Sequence, residues 1–386
     1  MLPKILLTLG VGSGVVLLMG SGAPQSSPQL SSSPIQVNVV LVQLNIAVTD
    51  RKGHYVSGLH PQDFAVYEDK IPENIAWFEE GDQSGRRMIK VGPSGAPAGP
   101  AAPVGAGAPG GTTATEQAGG NGAEPGMSMT SQEGAREALE EMPGANVFVL
   151  FDTSNYMYRN FVFAQDAITG FVRSMTGPDR IAFYSYSRDL SKGSMLTADR
   201  PRILNAVRSS VAGDDAALYN CLLMTVQDAA PLRGRKAIVV FSNGPDNASS
   251  VPPEDVEELA QSTGTIIYII STRQAESEPV SSAVFERMSK ATGGKAYFAK
   301  NWEEEGKAFA SIRDDLSHLY TLSYYPKPNQ NHGWRKITVK LVGNGNQSYH
   351  VRTRDGYRLL EQAPANPLRV SEHAAAADPT AEQQQH

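Results

Sequence analysis

The sequence predicts an α/β protein: a doubly wound, mostly parallel sheet inserted in, or flanked by, a small antiparallel β-sandwich. Three observations predict it. Val147–Asp152 is an apolar run without polar alternation that ends on a carboxylate, the pattern of a strand covered on both faces. Runs of the same kind, Lys236–Phe241 and Thr265–Ile270, alternate with stretches whose apolar residues recur at helical spacing. Residues 35–80 and 321–358, by contrast, hold strand-like segments with no helix between them, which indicates antiparallel sheet.

Taken in order, the chain opens with Lys4, an apolar stretch Ile5–Met19 and small residues Gly20–Ala23. That is the layout of a secretory signal peptide over residues 1–23, and its apolar part is shorter than the about 20 residues of a membrane span. An uncleaved anchor is the alternative, because Pro24 is a poor residue directly after a cut. Residues 24–34 are a Ser/Pro/Gln spacer. Strands are expected at Ile35–Val48, Phe64–Glu68 and Asn74–Phe78, separated by turns at Thr49–Gly53 and Asp69–Pro72. Residues 81–143 form a Gly/Ala/Pro linker whose composition cannot offset the entropy of ordering, with one short helix expected at Ser131–Glu141.

Residues 144–320 carry the alternating pattern. Phe161, Ala164, Ile168, Phe171, Val172 and Met175 mark a helix over 159–175, which Gly177-Pro-Asp179 stops. A strand at Arg180–Tyr186 and an edge strand at Lys192–Thr197 follow, then helices at Arg200–Ser210 and from Leu218 onward. Pro252–Ser262 starts with proline and acids, as a helix N-terminus prefers. Val284–Ala291 reads as a helix, Lys295–Phe298 as a short edge strand, and Phe309, Ile312, Leu316 and Leu319 stripe the last helix. Strands return at Thr321–Tyr325, Trp334–Val342 and Ser348–Arg354. Three strands before the α/β domain and three after it have one economical arrangement: a single sandwich with the α/β domain (144–320) inserted between its halves, 35–80 and 321–358. Residues 359–386, polar and alanine-rich, read as a disordered tail.

The chain has 386 residues and a formal net charge of -6, which gives no electrostatic reason to expect nucleic acid. Its one cysteine, Cys221, allows no intrachain disulfide and reads as a small apolar filler on a helix rather than a reactive thiol. His54, His60, His318, His332 and His350 lack zinc-site spacing, and no nucleophile-elbow, Walker or dinucleotide pattern occurs in a strand–turn–helix context. Thr292-Gly-Gly294 reads as a helix stop. Tyr184, Tyr186, Tyr324, Tyr325, Trp334 and Tyr349 read as core, with exposed members free to anchor an interface.

The candidate site is Asp152-Thr-Ser-Asn-Tyr156, just past the end of the first apolar strand, where open α/β sheets bind ligands. Asp-x-Ser oxygens suit a hard cation such as Mg²⁺. The alternative reading of Asp152 and Ser154 is that they cap the helix that follows. An aspartyl nucleophile of the phosphatase kind would want a second carboxylate where Ser154 stands.

These residues carry a resemblance. Asp152-Thr-Ser-Asn-Tyr156 resembles the Asp-x-Ser-x-Ser motif that opens the metal-ion-dependent adhesion site of a von Willebrand factor A domain. Over residues 36–80 and 144–358 the chain is similar to the VWFA-related proteins of Acidobacteria. The resemblance implies metal positions at Asp152, Ser154 and Tyr156 on the first loop, Ala216 on the second and Asn243 on the third. Three of these depart from the family pattern: Tyr156 stands for serine, Ala216 for threonine and Asn243 for aspartate. Asp214, Asp215 and Asp246 lie on the same loops as candidate compensating ligands. The expectation is a degenerate site with weak Mg²⁺ binding or none, no other cofactor and no catalytic residues. The protein is then a secreted, non-catalytic interaction or adhesion protein. Its partner is another protein, with no nucleic acid and no membrane span unless the leader is retained. The alternatives are a genuine Mg²⁺-dependent adhesin, a secreted hydrolase of unknown substrate and an envelope assembly factor.

Overall fold

A computed structural model describes residues 41–81, 86–87, 144–175, 177–272, 279–343 and 348–359. The leader, the spacer, residues 35–40, nearly all of the linker with its expected helix, and the tail beyond 359 lie outside the described residues. In chain order the first elements are β1 (Val42–Thr49), β2 (Phe64–Glu68), β3 (Ile71–Glu73), β4 (Ile75–Glu80) and β5 (Arg86–Arg87). Then come β6 (Ala145–Asp152), α1 (Phe161–Ser174), β7 (Arg180–Tyr186), β8 (Leu190–Thr197), α2 (Arg200–Arg208), α3 (Leu218–Ala229), β9 (Arg235–Ser242), α4 (Pro253–Thr263), β10 (Ile266–Thr272), α5 (Pro279–Ala291), β11 (Ala296–Ala299) and α6 (Trp302–Ser317). The last are β12 (Tyr320–Tyr324), β13 (Trp334–Leu341), β14 (His350–Arg352) and β15 (Gly356–Arg358).

The apolar runs become the middle of a six-stranded sheet ordered β11-β10-β9-β6-β7-β8. All neighbours are parallel except the β7–β8 pair, a hairpin at the edge. Alternate residues of the central strands face opposite layers. Val147, Val149, Phe151, Val239 and Phe241 pack with Ile168 and Phe171 of α1, Ile203 of α2 and Phe309 and Ile312 of α6. Phe148, Leu150, Ile238 and Val240 pack with Leu222 of α3, Val256 of α4 and Phe285 and Met288 of α5. Every residue of β6 and β9 is buried, which is why their sequences show no polar alternation. Gly294 lets the segment after α5 lie against the sheet: a Cβ there would sit 2.0 Å from the Ile267 carbonyl oxygen.

The two ends of the chain pair with each other. β1 and β12 run antiparallel, with Leu44 opposite Leu322, and β12 pairs in turn with β4. One sheet is β14-β1-β12-β4-β5 and the other β15-β13-β2-β3, with Leu44, Ile46, Phe64, Val66, Phe78, Leu322 and Ile337 in a shared core. The segments contribute more strands than their periodicity predicts. Asp69–Pro72 is not wholly a turn: only Asp69 and Lys70 take positive φ (47° and 72°), as a two-residue hairpin requires, and Ile71–Glu73 pairs back onto β2. Asp355-Gly-Tyr357 does not merely close the last strand, because Gly356–Arg358 pairs with β13. The helix expected from Val284 starts at Pro279, where Val280-Ser-Ser carries no apolar stripe to announce it.

Three arginines, the half-buried Arg352 and the buried Arg354 and Arg235, join the sandwich to the α/β domain. Arg352 of β14 grips the wholly buried Asp315 of α6 with both oxygens, and Asp315 also accepts from the Tyr55 and Tyr268 hydroxyls, each at 2.6 Å. Arg354 donates to the Gln261 carbonyl of α4 and, at 2.9 Å, to the Gln43 carbonyl of β1. Arg235 of β9 donates to the Leu316 carbonyl at 2.7 Å and faces Glu79 of β4. Among the described residues, no helix is long and apolar enough to cross a membrane.

Candidate functional site

Strand order reverses between β6 and β9, so the crevice that this topology offers a ligand lies at their carboxyl ends. Asp152 ends β6, Ser242 ends β9 with Asn243 just beyond, and Tyr186 ends β7 in register with Asp152. All four are buried. The first loop continues as a single 3₁₀ segment, Asn155–Asn160, that leads into α1.

The carboxylate of Asp152 is spoken for. One oxygen accepts from the Ser154 backbone N–H at 2.9 Å, an Asx turn, and the other from the Ser242 hydroxyl at 2.7 Å. Ser242 Oγ in turn accepts from the Tyr186 hydroxyl and the Gly244 N–H, both at 3.1 Å. Complete burial pushes the Asp152 carboxyl above the usual carboxylate range, and its hydrogen bonds to Ser154, Ser242 and Tyr186 only partly offset that. Ser154 is the N-cap of the 3₁₀ segment, yet its side chain caps nothing. Its Oγ is buried beside Asp152 without a well-directed partner.

The third loop is consumed in the same way. Asn243 donates its amide to the Tyr156 carbonyl and accepts on Oδ1 from Thr272, the last residue of β10. The second loop does not arise from a sheet strand. β7 turns back into antiparallel β8, and the loop lies between α2 and α3. It meets the first loop through its backbone: the Gly213 N–H donates to the Thr153 carbonyl at 2.7 Å, and the Asn155 N–H to the Asp214 carbonyl at 3.0 Å. Ala216 is wholly buried. Its N–H donates to Asn247 Oδ1 at 2.8 Å, and its carbonyl accepts from the N–H groups of Asn247 (3.0 Å) and Ala248 (3.1 Å).

The three candidate compensating acids are placed as follows. Asp246 accepts from the Tyr219 N–H at 3.1 Å and from the Ser249 hydroxyl at 2.6 Å. It thereby caps α3 from another loop, since the N-cap residue Ala217 has no side chain to do so. Asp215 accepts from Asn247 at 3.2 Å and faces Arg188 at 3.6 Å. Asp214 is exposed and meets the first loop only through its carbonyl. A hard divalent cation wants several free oxygens, preferably charged. Here Asp152, Asn243 and Asp246 are committed to protein donors, Ala216 has no oxygen to offer, Tyr156 is turned outward, and Ser154 alone keeps a free hydroxyl, one neutral oxygen. The residues present do not fit such an ion. Among the described residues, no group of three or more His, Cys, Asp or Glu side chains comes together in a way that could hold a metal.

The residues that sequence reasoning missed are Tyr186, Ser242, Thr272 and Asn247. Each lies at the end of a sheet strand or on the third loop, so strand register, had it been known, would have pointed to them. Cys221 is free and buried on α3, and burial pushes its thiol up to about 12.

While the interior of this face is polar and, apart from Ser154 Oγ, hydrogen-bonded within itself, its rim is apolar. Tyr158 is 72% exposed and Phe163 58%, and Tyr156, Val162 and Val211 are exposed as well.

No protein-family model and no curated protein matches the sequence. Solved structures are similar to it. One is a von Willebrand factor type A structure from Catenulispora acidiphila, 11% identical, covering 56% of this chain and 67% of that one with a TM-score of 0.38. Another is the vWF domain of the type V pili tip protein Mfa5 from Porphyromonas gingivalis, 13% identical over 45% of this chain and 95% of that one, TM-score 0.38. An aerotolerance-related membrane protein from Bacteroides fragilis is 16% identical over 45% of this chain and 98% of that one, TM-score 0.39. The structures to which this chain is similar thus include von Willebrand factor A domains.

Proposed function

We propose that this chain is a non-catalytic interaction protein that recognises another protein through the loop face at the carboxyl ends of β6 and β9, without a metal bridge. One observation carries the reading: the polar groups inside that face, Ser154 Oγ apart, are spent on one another, while apolar side chains ring its rim. A catalytic pocket needs the reverse, with convergent polar groups left open to a substrate. Asp152 has no accessible surface, so it can neither take a proton from a substrate nor attack one. The signal-like pattern of residues 1–23 supports work outside the cytoplasm, in the envelope or beyond it.

Calorimetric titration with Mg²⁺ and Mn²⁺, run beside ester, phosphate and glycoside substrates, tests the reading. The expected result is no heat of metal binding at micromolar affinity and no turnover that Asp152→Asn removes. A micromolar metal isotherm lost in Asp152→Asn makes the protein a metal-dependent adhesin. Turnover lost in the same variant makes it a hydrolase.

A further inference from the structure

Among the described residues, exposed large apolar side chains gather at one end of the α/β domain. Tyr156, Tyr158, Val162 and Phe163 follow β6, while Val280 and Trp302 open the helices after β10 and β11. Segments that follow parallel strands begin at the carboxyl end of the sheet. The densest part is the 3₁₀ segment running into the first turn of α1. Side chains three apart eclipse in a 3₁₀ helix, and those three or four apart share a face of an α-helix. Tyr156, Arg159, Val162 and Phe163 therefore form one stripe, and the wholly buried Met157 anchors the opposite side. Arg159 is exposed and has no acidic partner among the described residues, and no acid occurs between Asn155 and Phe163.

We propose that this stripe docks a protein segment that presents a carboxylate between apolar side chains. The Arg159 guanidinium takes the carboxylate in a forked pair, and Tyr156, Val162 and Phe163 take the apolar flanks. Charge selects this occupant. The stripe offers one unpaired cation and no anion, so a purely apolar partner would bury the guanidinium unpaired and a basic one would be repelled. Tyrosine and arginine are also the residue types that dominate binding hot spots. This rests on the interaction reading above, but it moves the contact from the Asp152 crevice to the surface of the 3₁₀ segment and α1, and it names the partner's chemistry.

The test is a selection of random displayed peptides against the full chain in EDTA, followed by fluorescence anisotropy of the selected peptides. The proteins compared are wild type, Arg159→Gln and Phe163→Ser, whose unfolding midpoints should match because both positions are exposed. Expected are peptides with an Asp or Glu between apolar residues that bind each variant at least tenfold more weakly. Changing the peptide acid to its amide should weaken binding to wild type by a similar factor and leave binding to Arg159→Gln almost unchanged. Selected peptides without acids, acidic peptides indifferent to Arg159→Gln, or no binding at all would overturn the stripe. Peptides that bind elsewhere leave the broader interaction reading standing. Binding that appears only with Mg²⁺ or Mn²⁺ refutes the metal-free reading instead. Self-association abolished by Arg159→Gln, seen by light scattering, would make a second copy the occupant and overturn the acidic segment.

Discussion

Replacing Asp152 separates a carboxylate that holds loops together from one kept for a cation. Asp152→Ala removes the acceptor for two buried donors, the Ser154 N–H and the Ser242 hydroxyl. At about 1–3 kcal/mol for each orphaned buried donor, the loss of stability is about 2–6 kcal/mol. Asp152→Asn keeps an oxygen for the Ser154 N–H, and the Ser242 hydroxyl can turn to donate to Tyr186 while accepting from the new amide. This leaves one buried donor, the Tyr186 O–H, without an acceptor instead of two, so the cost is about 1–3 kcal/mol. The pH dependence adds a sign. Burial raises the folded carboxyl above its unfolded value, so the folded state holds the proton more tightly. Stability is then unaffected by this group below the ordinary carboxylate range and falls as pH rises through the window up to the raised folded value. Asp152→Asn removes that fall, and its advantage over wild type grows across the same window. Urea unfolding from pH 3 to pH 8, with and without millimolar Mg²⁺, reads all three. If the asparagine variant is as unstable as the alanine one at neutral pH, the reasoning fails. It fails equally if Mg²⁺ raises the wild-type midpoint and not that of the variant.

Three further outcomes follow from the same geometry. Asp246→Ala should cost about 0.5–2 kcal/mol by uncapping α3 at the Tyr219 N–H, measured by urea unfolding, and should leave any Mg²⁺ response unchanged. Arg352→Met should cost about 3–5 kcal/mol by leaving Asp315 buried without its main counter-charge. Burial alone would raise the Asp315 carboxyl, but Arg352, Lys295, Tyr268 and Tyr55 outweigh it and hold the carboxyl below its usual range. Wild type should therefore lose stability as pH falls from the ordinary carboxylate range through that depressed value, a loss the Arg352 variant should largely lack. Gly294→Ala should destabilise by about 3 kcal/mol or more, because the backbone carbonyl of Ile267 cannot yield as a side chain would. A near-native thermal midpoint would contradict it.

The sheet was legible in the sequence because burial on both faces leaves a one-dimensional trace. Val147–Phe151 and Ala237–Phe241 have no polar residue to place outside, and Phe161, Ile168 and Phe171 repeat with the helix. The pairing of 35–80 with 321–358 was readable only as the economical use of leftover strands. The short strands Ile71–Glu73 and Gly356–Arg358 are too brief to show a period. At the site, sequence placed Asp152, Ala216 and Asn243 on three loops but not what they touch. Ser242 satisfies Asp152 because the β6–β9 register brings two strand ends together, and register is a property of the pairing rather than of either segment. Asp246 caps a helix that is distant in sequence, which no local capping pattern reveals.

The β1–β12 pairing sets an order of events during synthesis. Val42 finds Tyr324 only after the intervening chain has left the ribosome, which takes on the order of tens of seconds at about 5–20 residues per second. For that interval the first strands stand as open edges of the kind that pair with stray chains. A protein wired this way gains from a chaperone that shields its amino-terminal segment until the last strands arrive, and a truncation before Tyr320 would leave that segment permanently unmatched.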